Sequence, residues 1–138
     1  LVFALQQRGR RVKWVMPATL RAQLQRNPSL NVPLDDLPVG IFLRAQVNRV
    51  GDPLFGYLQR MAAVSGARIA LVPVQVRVRP STGKRAGAVE YAASVVNVAD
   101  GRVMWFGIVE GEAGDGSSAA ALATAADALA RILLSTSE

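Results

Sequence analysis

The sequence contains no cysteine and no histidine. That excludes disulfides, side-chain ligation of zinc, haem or iron–sulfur clusters through His or Cys, and catalysis of the Ser-His-Asp or Cys-His kind. It does not fix a redox compartment, because a cysteine-free chain is at home on either side of a membrane. Aromatic residues are scarce at 6%, so Ala and Val supply most of the apolar material. Lysine is nearly missing as well: of 16 basic residues, 14 are Arg. No apolar run approaches the roughly 20 residues that a bilayer-spanning helix needs.

What remains is a chain of 138 residues, 51% hydrophobic, with a net charge of +6. That length and apolar content suit one folded α/β domain over residues 1–138, with a core of respectable size. Leu1-Val2-Phe3-Ala4-Leu5 reads as a helix already in progress. The expectation is an incomplete amino terminus, with any signal peptide or lipidated cysteine lying upstream. A basic surface admits nucleic acid, anionic lipid headgroups or an acidic protein face as partners, and also serves plain solubility.

Periodicity orders the rest. Leu1, Val2 and Leu5 share a helical face, and Gly9 follows as a terminator. Arg11 to Met16 alternates like a strand, with Val12, Trp14 and Met16 on one side. Pro17 then opens a helix carrying Leu20 and Leu24, which Asn27-Pro28 closes. Residues 28–52 form a loop-rich insertion with three prolines before position 39 and a weak strand pattern near Ile41 to Ala45. Asp52-Pro53 supplies an N-cap and a first helical residue for Leu54, Leu58, Met61 and Ala62, and Gly66 ends that helix.

Ile69 to Arg79 is a strand in which Pro73 demands an exposed edge or a bulge. After a polar turn over 80–87, Ala88 to Val98 and Val103 to Glu110 pair through Asp100-Gly101, a strong hairpin signal. Val103 to Val109 is apolar on both faces, which predicts a central strand. A link over 111–116 leads to a last helix, capped by Ser117 or Ser118, with Leu122, Ala125, Ala126, Leu129, Ile132 and Leu133 as its stripe. The fold class is α/β (α+β): a mixed sheet of about four to five strands, a C-terminal antiparallel meander, and helices packed on its faces.

Val96, Val98, Gly101, Val103 and Trp105 carry a resemblance. A Val-Asp-Val-x-Thr-Gly-x-Val-x-Trp hairpin before a Gly-rich link and an Ala/Leu-rich helix is found in the group of bacterial envelope domains comprising the TolB amino-terminal domain, CsgG-like lipoproteins and lipoprotein activators of penicillin-binding proteins. Ala67 to Val72 also resembles the strand that follows the middle helix of that group. The likeness covers residues 1–26 and 54–134. Asn97 replaces the usual Asp and Asp100 the usual Thr, and 28–52 has no counterpart. The resemblance implies an α/β/α sandwich, a periplasmic or membrane-peripheral and lipid-anchored location, and a non-enzymatic role. It marks fold, not chemistry.

The candidate partner-binding residues are two basic clusters, Arg8, Arg10, Arg11 and Lys13 with Trp14 beside them, and Arg77, Arg79, Lys84 and Arg85. Each also reads as a solvated face, and Trp14 and Trp105 as core filling. Asp35-Asp36 reads as turn chemistry without a third ligand, and the 111–116 segment lacks the Lys-Ser/Thr of a phosphate loop. Ser117 and Ser118 have no histidine base, and a Ser-Lys dyad with Lys13 or Lys84 has no support in the pattern. No catalytic residue, metal or cofactor is expected. The leading expectation is an accessory subunit that docks onto other proteins of an envelope assembly, with anionic lipid headgroups as a further partner. A secretion machine, a cell-wall synthase and a membrane bioenergetic complex, photosynthetic ones included, all fit. A nucleic-acid-binding domain is the main alternative, weakened by the lack of aromatic interleaving. A carboxylate-based hydrolase or transferase comes last.

Overall fold

Residues 2–8, 12–79 and 88–112, with Asp127, Ala128, Ala130 and Arg131, are described by a computed structural model. Its elements are helices α1 (Val2–Arg8), α2 (Pro17–Arg26), α3 (Ile41–Arg44) and α4 (Leu54–Ser65), a 3₁₀ turn (Pro28–Leu30), and strands β1 (Ile69–Arg79), β2 (Ala88–Asn97) and β3 (Val103–Glu112). The class is mixed α+β. Among the described residues the sheet is antiparallel and has three strands in the order β1-β2-β3, fewer than the four to five expected.

Two expected strands are missing for physical reasons. Residues 12–16 are irregular, with a bend at Val12, and pair with no ladder among the described residues, and alternation alone does not make a strand. Met16, in the β region at ψ 160°, instead delivers the chain to Pro17, whose missing N–H suits a first helical position. Residues 41–44 form one helical turn, with Leu43 N–H donating to Gly40 and Ala45 N–H to Ile41. Five residues are too few for periodicity to separate strand from helix. The out-in-out exposure of Ile41, Phe42 and Leu43 would suit either, and the local bonds to the Gly40 and Ile41 carbonyls make it a turn.

The helices predicted over 1–7, 17–26 and 54–65 stand, while the last predicted helix, from Ser117 or Ser118 onward, lies outside the described residues apart from Asp127, Ala128, Ala130 and Arg131, which are helical. In α4, Leu54, Leu58 and Met61 are buried at helical spacing, each worth about 1.5–3 kcal/mol on removal from water. Gly66 closes it in the left-handed conformation at φ 75°. Pro53 rather than Asp52 occupies the N-cap, one residue later than predicted. The Asp52 carboxylate nevertheless accepts the Gly56 N–H at 3.1 Å, so it still satisfies an orphan donor of the first turn.

The largest correction concerns the hairpin. It forms as predicted, through a five-residue connection over 98–102 in which Gly101 N–H donates to the Asn97 carbonyl at 2.8 Å. The Asn97 and Asp100 side chains each accept a backbone N–H two residues on, both at 2.9 Å. Gly101 is left-handed at φ 76°, and a Cβ there would lie 2.9 Å from the Val50 carbonyl oxygen. Yet β3, not β2, lies at the flank of the described sheet. In β2, Val89, Ala92, Ala93, Ser94 and Val96 are buried, because small side chains let both faces be covered closely. In β3, Met104, Phe106 and Ile108 remain 38–59% exposed.

Contacts divide the chain into two compact units. The first comprises Leu1–Trp14, Gln75–Ala93 and Gly107–Glu138, and the second Val15–Val74 and Ser94–Phe106. In the first, Leu5, Val89, Tyr91, Val109 and Ala130 are buried. In the second, Phe42, Val50, Leu54, Leu58, Met61, Val72, Val96 and Val98 form one cluster. The 28–52 segment is part of that core: besides Phe42 and Val50, it packs Val32, Leu34, Leu37, Val39 and Val47 against the cluster.

Candidate functional site

The residues singled out from the sequence are distributed unevenly. Arg8, at the end of α1, is held by Asp127 through two hydrogen bonds of 2.6 and 2.8 Å, and Arg131 reaches the same carboxylate at 3.3 Å. The Arg8 guanidinium keeps the Asp127 carboxyl below its ordinary range, chiefly by hydrogen bonding. Arg8 therefore spends its fork within its own unit. Lys13 is exposed and Trp14 half-buried on the irregular segment before α2, and Arg77 is exposed on β1. Arg79 ends β1. Arg10, Arg11, Lys84 and Arg85 lie outside the described residues.

The Asp35-Asp36 pair stays structural. Asp35 takes a bidentate pair from Arg21 at 2.6 and 2.7 Å, which holds its carboxyl low and ionised. Asp36 N–H closes a turn onto the Pro33 carbonyl. Both border an open hollow of about 430 Å³ between α2 and the 31–36 segment. Among the described residues, no group of three acidic, His or Cys side chains is placed to hold a metal.

A surface that sequence reasoning missed lies in the second unit, beside the first half of β3. It begins with backbone. Val103 N–H donates to Asn48, Val50 N–H donates to Gly101, both at 2.8 Å, and Arg49 bridges Arg102 in antiparallel register. This short clasp fixes residues 48–50 along the start of the strand. From there the chain runs back to α3, whose Phe42 ring stacks on Phe106 with centroids 5.8 Å apart and planes 9° apart, inside the favourable range for aromatic pairs.

The result is an open groove of about 600 Å³ lined by residues 42–48, Val103 and Phe106. Of its lining, Leu43 at 45% and Phe106 at 38% exposure bring large apolar side chains to the surface, and Met104, two residues before Phe106 on β3, is 48% exposed. Its charged lining residue is Arg44, whose Nε reaches back to the Gly40 carbonyl at 3.4 Å. The signal was present in Arg102-Val103-Met104-Trp105-Phe106: alternation puts Arg102, Met104 and Phe106 on one side of the strand. It was masked by taking two-sided apolarity as a sign of a central position.

No protein-family model, no curated protein and no solved structure matches this chain.

Proposed function

We propose that this chain is a non-enzymatic docking domain, an accessory subunit of a bacterial envelope assembly, and that it grips another protein subunit through the groove beside β3. The observation that carries the reading is the Phe42–Phe106 stack at the rim of an open groove. Large apolar side chains held in the open on hydrogen-bonded backbone are characteristic of surfaces that bind protein. Three acidic side chains of this unit have structural tasks: Asp35 pairs with Arg21, while Asp52 and Asp100 accept backbone N–H groups. Exposed Lys13 and Arg77 offer the first unit a second, electrostatic contact.

The envelope assignment rests on the resemblance carried by Val96, Val98, Gly101, Val103 and Trp105. The same resemblance supports the finer fold, an α/β/α sandwich of four to five strands, and a periplasmic or membrane-peripheral address with a lipid anchor upstream. No helix among the described residues is long and apolar enough to cross a membrane. Co-purification of the tagged protein from its native cells tests the reading. One envelope protein should accompany the wild type and be lost from Met104→Glu and Phe106→Ser, with the folded signal kept. Retention of that partner by both variants would refute it.

A further inference from the structure

We infer that the partner segment filling this groove is an acidic, extended peptide carrying a bulky apolar side chain. The inference rests on the docking reading above and gives it a chemistry. It starts from a local conflict. Arg49 and Arg102 are directly opposed in an antiparallel bridge and both are exposed. Opposed residues project to the same side with Cβ atoms roughly 4.5–5.5 Å apart, and like charges there repel. Neither arginine makes an ion pair among the described residues. The nearest carboxylate in sequence, Asp100, accepts the Arg102 backbone N–H at 2.9 Å.

Arg49 and Arg102 directly follow and precede the lining residues Asn48 and Val103, and Arg44, on the lining itself, adds a third guanidinium. A carboxylate set between such forks is the ordinary way to offset this repulsion, because guanidinium and carboxylate match in bidentate geometry. Spacing favours a peptide. Arg102, just before β3, and Met104 and Phe106 on it repeat every second residue, about 6.6–6.8 Å apart, which is also the same-face repeat of an extended chain carrying an acidic and an apolar residue two positions apart. Shape favours it over a bilayer. The groove is concave and Phe42, stacked behind Phe106, is 4% exposed, so apolar surface here receives a side chain rather than projecting into lipid.

The test uses the full chain and a labelled synthetic peptide in which glutamate and phenylalanine take turns at every second position with serine between them, so that both share one face, read by fluorescence anisotropy. The controls are the same peptide with lysine for glutamate, and sedimentation with phosphatidylglycerol vesicles. The acidic peptide should bind and the lysine peptide should not. Affinity should fall about tenfold or more in Arg49→Gln/Arg102→Gln and weaken with added salt. Arg102→Gln alone should raise the melting temperature, a readout that separates relieved repulsion from damaged folding. Equal binding of both peptides, no binding of the acidic one, or sedimentation with vesicles in its place would overturn the inference. If the acidic peptide fails while the native partner still depends on Phe106, the docking reading survives and only the peptide chemistry is lost.

Discussion

Strands β2 and β3 are arms of one hairpin, and they divide the labour in an unexpected way. β3 has the larger apolar side chains, Met104, Trp105, Phe106 and Ile108, and much of that surface stays open. β2 has Ala92, Ala93 and Ser94 at its middle and is buried there. Burial followed neighbours on both sides, which small residues permit, and not the hydrophobicity of the strand itself. An apolar excess on such a strand then stays at the surface, the kind of patch that suits binding.

The sharpest way to break this comparison is to place the same charge on each arm. Val96→Asp puts a carboxylate at a site with 0% exposure and should cost more than about 4 kcal/mol, abolishing the cooperative melt. Met104→Asp, at 48% exposure, should stay within about 0.5 kcal/mol in chemical denaturation. Equal costs would mean that the arms do not differ as described. Next in size is Gly101→Ala at the junction. A left-handed φ of 76° and a Cβ 2.9 Å from the Val50 carbonyl should destabilise by about 2–3 kcal/mol, seen as a lowered denaturation midpoint.

Ser94→Ala removes the hydroxyl that donates to the Trp105 carbonyl at 3.2 Å, a side-chain hydrogen bond between the two arms. Its loss should cost about 1 kcal/mol by the same measurement. Tyr91 sharpens the contrast through pH. Burial raises its pKa above the ordinary value near 10, so the unfolded chain ionises first. Stability from the neutral phenol is therefore complete below about pH 10 and is lost as pH rises through the raised value. Denaturation across alkaline pH should show that decline, and Tyr91→Phe should flatten it. The smallest effect belongs to Arg21–Asp35, whose lowered carboxyl pKa makes any contribution present above the usual carboxylate range and lost as pH falls through the lowered one. Exposed pairs count for little, and Arg21→Gln should scarcely move an acid titration of stability.

Much of the fold was legible. Proline at a first helical position, glycine at a C-terminus and the Asp100-Gly101 signal located α2, α4 and the hairpin, because each acts within a few residues. Misreadings arose where the deciding partner is distant in sequence. The alternation at 12–16 found no ladder, and 41–45 became a turn whose Phe42 anchors in a core built mainly from α4 and the strands. The basic clusters were visible as composition, but Arg8 turned out to be held by a carboxylate 119 residues away. The groove as a whole was not legible because two sequence-distant pieces make it: the stretch 42–48 and the strand at Val103 and Phe106.

Methionine oxidation under hydroxyl-radical footprinting addresses the central claim most directly, since Met104 lies on the exposed arm at 48% and Met61 in the core at 7%. In the free protein Met104 should oxidise readily and Met61 slowly. In the native assembly Met104 should become protected while Met61 is unchanged. Oxidation of Met104 at the same rate in both states would contradict the account.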